Sequence, residues 1–509
     1  MAFSIRTSFS RSWRAALVFG AGCLSLAALA SLARAGSSAQ PPRRLRVVLV
    51  VFDGLRPDHI TPSRTPRLHA LSTRGVMSWQ HHSLFPTVTR VNASALATGT
   101  GPGGHGILDN SIYLPAVADR VLNTGEARDM MLADSMLGGK LLTAPTINSH
   151  LREAGLRLMV ASAGSSGSAY LFGGGAGTPV LNAELVQPAS LVPLVNRILG
   201  PAPADASPNL GRNAWAVDGL LRIGVDSLDV DVAYLWLSDP DHTAHGAGLG
   251  SSMTDSSIRA ADRELGRLLD GLASRGLAQA VNLFVVSDHG FSTHDGDARA
   301  LRKQLGGLAD SVVIAGNAIH VRHGGLQTRE AVVRVLQQWP EAGAIFTAPA
   351  EADGKGGVSG TISTERIGWL HARAADILFS ADWSHQANAA GHKGYTRQSG
   401  VAGHGTSSPY DVAATFVAHG PAFRSGVLAP APSSNADIVP TILHLLGRTA
   451  TPRGVTGRPL LELLQQSAAT PLTIKRDSTV AERAGYRTVS YHTQVQQTVY
   501  FDSTRTTRR

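Results

Sequence analysis

A chain of 509 residues with 43% hydrophobic content is long enough for one large α/β domain carrying an insertion, and it has a globular composition, unlike a disordered or multi-span membrane protein. The formal net charge of +9 favours anionic substrates without choosing among them, and no basic run interleaved with aromatics marks a nucleic-acid-binding surface. The single cysteine, Cys23, lies in an N-terminal apolar run, so disulfides and thiolate metal ligands are excluded from the rest of the chain and any metal must be held by His, Asp and Glu.

Residues 1–35 read as an export signal. Arg6, Arg11 and Arg14 precede the run AALVFGAGCLSLAALASLA, and Ala33-Arg34-Ala35 sets small residues where a signal peptidase reads them. The run is also long enough for a membrane anchor, but its Ala and Gly content and the cleavage pattern favour removal near Ala35 and a periplasmic or secreted protein without a stable span. Residues 36–44 (GSSAQPPRR) are a solvated linker, and the first part of the main domain is expected over 45–299. It begins with VVLVVF at 47–52, an unbroken apolar run of the kind buried on both faces in a parallel sheet, ending in Asp53-Gly54.

Thr89 leads a short apolar helix in FPTVTRVNASALATGTGPGGHG, with Asn92 three residues on and Gly99 at its end. A hydroxyl at a helix start faces the positive end of the backbone dipole, which suits an anionic substrate, although Ser and Thr also cap helices in that position. A strand at 156–160 leads into GSSGSAYLFGGGAG, read as a mobile surface loop rather than a phosphate cradle. Two further apolar runs, VAYLWL at 232–237 and LFVV at 283–286, end in SDPD and SDHG. The 3.6-residue spacing of Ile258, Ala261, Leu265, Leu268 and Leu272 predicts a helix stopped at Gly276. Residues 300–395 are expected to form a smaller inserted α+β cap lobe, and 396–465 the second part of the main domain. That part holds the strand VAATFVA and a helix over NADIVPTILHLLG with Asn435 as its cap. The tail at 466–509 alternates polar and apolar residues from Thr488, which predicts a β-hairpin with the last eight residues frayed.

Three carboxylates (Asp53, Asp241, Asp288), three imidazoles (His245, His289, His404) and the Thr89 hydroxyl fall at strand ends and in short loops. Sites in open α/β sheets assemble at the carboxyl edge of the strands. Asp241 and His245 are one helical turn apart, close enough to bind one ion, and the whole set suits two divalent cations, with zinc favoured by ligand type. His105, His242 and His392 are read as structural, His242 also as a partner behind a ligand.

The motifs FDG (52–54), PTVTRVN (86–92), PD-x-x-x-H (240–245), SDHG (287–290) and GHG (403–405), in this order, resemble those of the alkaline phosphatase superfamily, and within it the type I phosphodiesterase/nucleotide pyrophosphatase family. The resemblance implies a mixed, mostly parallel sheet between helical layers, a two-zinc site, and a threonine nucleophile that forms a phosphothreonine. It assigns Asp241, His245 and His404 to one ion, and Asp53, Asp288, His289 and Thr89 to the other. Asn92 is then expected to donate to a phosphoryl oxygen. Arg90-Val91 stands where the family often has Phe-Pro, and Arg90 either reaches the substrate phosphate or points to solvent. Residues 162–168 (SAGSSGS) lack the Lys-x-Arg pair of the threonine-dependent monoesterases, and the lysine expected of a phosphonoacetate hydrolase, which favours a monoanionic diester. Asn110, Tyr113, Phe172 and the inserted lobe are the expected pocket. A monoesterase or phosphonate hydrolase keeps the same metal ligands. A sulfatase does not fit Thr89-Arg90, and a non-catalytic exported binding protein does not explain seven residues of competent type.

Overall fold

The computed structural model describes residues 44–297, 300–448, 452–467 and 471–509; the expected export signal and all but the last linker residue lie outside them. VVLVVF forms strand β1 (Val47–Phe52), all six side chains buried. Alternation along the strand sends Val48, Val50 and Phe52 into one core with Leu265 and Leu268, and Val47, Leu49 and Val51 into a second with Ala93, Leu96 and Phe172. An apolar run without polar alternation is therefore covered on both faces.

The other main strands are β2 (Val76–His82), β3 (Leu158–Ser162), β4 (Val180–Asn182), β5 (Leu185–Gln187), β6 (Val232–Leu237), β7 (Asn282–Val286) and β8 (Ala413–His419); with Val427–Leu428 and Ser433–Ser434 beside β2 they make a ten-stranded sheet. Its centre, in the order β7-β1-β6-β3, is parallel, and β8 runs antiparallel between β7 and β2. The fold is thus a mixed, mostly parallel α/β sheet between helical layers. The helices nearest the site are α1 (Thr89–Thr98), α2 (Ser166–Phe172) and α3 (Asp241–Ala247), and α4 (Ser252–Ser274) covers one face. Among the described residues no helix is long and apolar enough to cross a membrane.

Three segments depart from expectation. The Gly/Ser-rich stretch is a buried helix, α2, with Ser165 accepting from the Ser168 N–H at its start. Its small residues serve close packing, since the Gly167 N–H donates to the Gly125 carbonyl at 2.9 Å. Asn435 does not cap its helix, because Ser434 and Asp437 form the capping box there. The tail is a three-stranded antiparallel sheet, with Ile474–Arg483 pairing ahead of the expected hairpin and the last strand paired as far as Arg508. The end is docked rather than frayed, as the Trp383 Nε1–H donates to the Thr504 carbonyl at 2.7 Å.

Residues 312–381 carry a separate five-stranded sheet with its own apolar core, which includes Val332, Leu336 and Trp339. The boundaries expected at 300 and 395 cut a small four-stranded sheet in which Ser292–His294 pairs with Lys393–Thr396 and Ala402–Gly403. Asp109 ties the main body to the inserted sheet, its carboxylate accepting from the N–H groups of Asn110 (2.6 Å) and Asn317 (3.3 Å). Burial pushes this carboxyl from 3.8 up to about 6, against the opposing pull of those N–H groups. Because the folded value is the higher one, its contribution to stability is complete below the ordinary carboxyl range and is lost as pH rises through about 6. The loss amounts to about 3 kcal/mol. The fall in urea midpoint from pH 4 to pH 7.5 is expected to be smaller in Asp109→Asn than in the wild type, the other buried carboxyls contributing equally to both.

Candidate active site

Three parallel strands end side by side, and their backbones lock the ends together. The Asp53 N–H, just past β1, donates to the Leu237 carbonyl of β6, and the Asp241 N–H donates to the Asp53 carbonyl, both at 3.0 Å. The Gly54 N–H donates to Asp288 Oδ1, beyond β7, at 3.0 Å. Gly54 has φ +68°, and a Cβ there would lie 3.0 Å from the Asp241 Cβ, so only glycine allows this approach. Asp241 opens α3 and His245 lies one turn on, its Nε2 3.2 Å from Asp241 Oδ1. His404 Nε2 reaches the same oxygen at 3.3 Å. His289 Nε2 lies 3.1 Å from Asp288 Oδ2, 3.5 Å from Asp53 Oδ1 and 4.0 Å from Asp241 Oδ1. Thr89 is the first residue of α1, after Val88 at the cap position, and its Oγ is 3.3 Å from His289 Nε2. The structure therefore gathers Asp53, Thr89, Asp241, His245, Asp288, His289 and His404 into one cluster. The side chains of Asp288 and His289 are fully buried, whereas that of His245 is 46% exposed, so the cluster opens to solvent on the α3 side.

The donor set has the chemistry of a cation site. Each imidazole places Nδ1 against a backbone carbonyl: His245 against Ala402 (3.1 Å), His289 against Gly290 (2.8 Å) and His404 against Thr87 (2.8 Å). A carbonyl only accepts, so Nδ1 carries the hydrogen and the Nε2 lone pair faces inward. Opposite them, Asp53 Oδ1, Asp241 Oδ1 and Asp288 Oδ2 are buried and receive no hydrogen bond. Lone pairs that face carboxylate oxygens across 3.1–3.5 Å are stabilised only by a proton or a cation between them. Two sets of ligand atoms, Asp241/His289/His404 and Asp53/Asp288/His289, lie within 4.8 Å of one another, so the residues present fit divalent cations.

Electrostatics divides the cluster. Burial and the neighbouring carboxylates of Asp288 and Asp241 raise Asp53 well above the ordinary carboxylate range. Burial would raise Asp241 too, but the imidazoles of His245 and His404 hold it well below. His245 is raised by Asp241 against the effect of burial, and in His289 the Asp288 and Asp241 carboxylates outweigh burial in the same direction. His404 is lowered by burial and by the neighbouring His289, whose ring stacks on it at 3.4 Å.

Two expected substrate residues belong elsewhere. Asn92 is fully buried, its Nδ2 donating to the carbonyls of Leu84 (3.1 Å) and Val88 (3.2 Å) and its Oδ1 accepting from the Leu84 N–H and Asn435 Nδ2. With both amide hydrogens engaged it has none to offer a phosphoryl oxygen; it fixes the loop that leads into α1. Phe172 is fully buried, stacked on Tyr234 and edge-on to Trp236, and it is core rather than pocket lining. Tyr113 turns to the inserted sheet, where its hydroxyl donates to Asp119 and accepts from Arg322. Asn110 lies beside the start of α1, its Oδ1 accepting from the Arg90 N–H at 3.1 Å. Arg90 turns inward, with Nη2 donating to Ser165 Oγ at 3.2 Å. His105 is buried, and His242 pairs with Asp205 at 3.6 Å.

Two supporting residues escaped the sequence reading. Trp236 Nε1–H donates to Asp53 Oδ2 at 2.9 Å, and Asn435 Nδ2 links Asn92 to the Asp288 carbonyl at 2.9 Å. The one available signal was an indole near the end of a strand that finishes beside an aspartate, where an N–H donor usually finds a partner.

A mixed α/β sheet thus brings three carboxylates, three imidazoles and a helix-start hydroxyl to one edge, a set of donors that fits divalent cations. The chain belongs to the type I phosphodiesterase/nucleotide pyrophosphatase family, whose model matches residues 47–407. A venom phosphodiesterase of Macrovipera lebetinus is 26% identical over 48% of this chain and 25% of its own length, so the match spans about a quarter of that relative. Human ectonucleotide pyrophosphatase/phosphodiesterase family member 5 is 25% identical over 83% of this chain and 79% of its own. The structure of murine member 5, an inactive threonine-to-alanine variant in complex with AMP, superposes with a TM-score of 0.59 at 21% identity, over 83% of this chain and all of that one.

Proposed function

We propose that this protein is an exported, metal-dependent phosphoric ester hydrolase of phosphodiesterase/nucleotide pyrophosphatase type, acting through Thr89. The observation that carries the reading is the ring of three imidazoles, each fixed through Nδ1, facing three carboxylate oxygens without donors around the Thr89 hydroxyl. Asp241, His245 and His404 would hold one cation, and Asp53, Asp288 and His289 the other, with zinc favoured by the mixed N/O ligands. When bound, such ions acidify a coordinated hydroxyl and supply positive charge to the oxygens of a phosphoryl group. Trp236 keeps Asp53 oriented through Oδ2 and leaves Oδ1 free for coordination.

The Thr89 hydroxyl gives its proton to solvent as its Oγ attacks phosphorus, the Oγ–P bond forms as the P–O bond to the leaving group breaks, and the departing oxygen takes a proton from solvent. Water then attacks the phosphothreonine, the Oγ–P bond breaks, and the hydroxyl regains its proton. The start of α1 presents the positive end of a ten-residue helix to the phosphoryl oxygens. Asn110 replaces Asn92 as the donor to one of them, because its Oδ1 is held by Arg90 and no hydrogen bond among the described residues engages its Nδ2. The AMP in the murine neighbour supports a small phosphoester as substrate, and residues 1–35 support export.

The inward turn of Arg90 favours a second reading within the same chemistry, a monoesterase or phosphonate hydrolase. Turnover of bis-p-nitrophenyl phosphate and of p-nitrophenyl phosphate by metal-analysed protein tests both. Hydrolysis of the diester above the metal-only background is expected. Turnover of neither ester by fully loaded protein would leave a binding protein with this fold as the better reading.

A further inference from the structure

A carboxylate outside the seven clustered residues stands behind two of the loops that carry them. Asp411 lies in the short helical turn Pro409–Val412 that leads into β8, and it is fully buried. Its oxygens divide between the loops. Oδ1 accepts from the Ser292 hydroxyl, and Oδ2 accepts from the Thr406 N–H at 3.0 Å and the Thr406 hydroxyl at 2.7 Å. Ser292 follows His289 by three residues, and Thr406 follows His404 by two. The backbone of the same turn holds the first loop a second time: the Gly290 N–H donates to the Asp411 carbonyl at 2.8 Å, and the Phe291 N–H to the Tyr410 carbonyl at 3.0 Å. A Cβ on Gly290 would lie 2.0 Å from the Tyr410 carbonyl oxygen, so only glycine lets the loop come this close.

The second loop passes the constraint on to its imidazole. The Thr406 carbonyl accepts from the Thr87 hydroxyl at 2.9 Å, that hydroxyl accepts from the Gly405 N–H at 3.1 Å, and the Thr87 carbonyl takes the Nδ1 hydrogen of His404. In the first loop the Gly290 carbonyl takes that of His289. The two rings lie face to face, their centroids 3.4 Å apart and their planes 12° from parallel. Each ring belongs to a different one of the two proposed cation sets, so the spacing of the sets follows the spacing of the loops, which one carboxylate joins. Ser292 and Thr406 are fully buried as well, and without Asp411 their donors would be left unsatisfied unless the loops moved.

We propose that Asp411 is a positioning residue for the reaction: by bracing the His289 and His404 loops against each other it sets the distance between the two proposed cation sets. This rests on the hydrolase reading above. Asp411 acts through Ser292 on the Asp53/Asp288/His289 set and through Thr406 on the Asp241/His245/His404 set. Each link can therefore be cut by itself.

The test titrates metal-free wild type, Asp411→Ala, Asp411→Asn, Ser292→Ala and Thr406→Val with zinc, alongside turnover of bis-p-nitrophenyl phosphate and urea midpoints. Asp411→Ala is expected to weaken zinc at both sites about 10- to 100-fold, the range for loss of a group that orients metal ligands, and to lower kcat more than it changes KM. Asp411→Asn keeps the shape and one acceptor and should restore part of both. The two hydroxyl variants are repeated in the Asp241→Asn background, where only the His289 set is complete. There Ser292→Ala should weaken the remaining site and Thr406→Val should not. If the Asp411 variants lower the urea midpoint while zinc affinity and turnover stay at the wild-type level, Asp411 only stabilises the fold and the proposal fails with the hydrolase reading intact. Should Asp411→Ala not fold, the hydroxyl variants decide alone, and equal weakening of the remaining site by both overturns the proposal. Zinc binding with the expected selectivity but no ester turnover by wild type overturns the hydrolase reading and leaves the bracing of the two sets standing.

Discussion

Replacing Thr89 by alanine is expected to lower turnover at least about 10⁴-fold, the scale on which loss of a covalent nucleophile acts in hydrolases of this kind of mechanism. The protein should fold normally. Thr89 is the first helical residue of α1 and not its cap, and among the described residues its hydroxyl holds no backbone N–H and has one side-chain partner, His289 Nε2. Its removal should cost well under about 1 kcal/mol, less than the loss of a true cap. The proposed cation site should also survive, because the six carboxylates and imidazoles assigned to it and their anchors to Trp236 and the carbonyls of Thr87, Gly290 and Ala402 are untouched. The decisive measurement pairs kcat with elemental analysis on the same preparation. Full metal content with turnover within tenfold of wild type would remove Thr89 from the reaction, and lost metal would make it a ligand first.

The three aspartates were legible because each ends a β-branched or aromatic apolar run, and parallel strands with both faces covered must deliver their ends to a common edge. The spacing from Asp241 to His245 was legible for a similar reason, one turn of helix having one geometry. Orientation was not legible. Asn92 sits one turn from Thr89, and nothing in the sequence says that the loop from Leu84 to Val88 folds back over that turn and takes both amide hydrogens. Phe172 follows a glycine-rich stretch that reads as loop, but its ring has Tyr234 and Trp236 of β6 to pack on, and tertiary burial outweighed the low helix propensity of Gly and Ser. Arg90 was undecided for the same reason. Only the slot formed by Gly125 and Ser165, 35 and 75 residues further along, turns it inward.

Asp241→Asn is expected to empty one cation position while the other stays filled, and to lower turnover by at least about 10³-fold. The geometry singles this residue out. Asp241 Oδ1 receives His245 Nε2 at 3.2 Å and His404 Nε2 at 3.3 Å, with His289 Nε2 at 4.0 Å, so three imidazoles converge on one oxygen. An amide keeps the shape and removes the charge. The raised affinity of His245 for protons, which comes first from Asp241, should fall, and so should its pull on a cation. Asp53, Asp288 and His289 keep two carboxylates and remain a complete set. Loading that set must also displace protons, because Asp53 and His289 are both raised in the cation-free protein. Its affinity should therefore fall as pH drops, and Asp241→Asn, which removes one of the charges that raise Asp53 and His289, should weaken that dependence without abolishing it, since burial and Asp288 still act on them. Zinc titrations of wild type and Asp241→Asn in two buffers of different ionisation enthalpy separate the cases. The expected result is about two sites in the wild type and one in the variant, with proton release retained on the remaining site. Two filled sites in Asp241→Asn would mean that the imidazoles hold their cation without this carboxylate, and the division of the cluster at Asp241 would have to be abandoned.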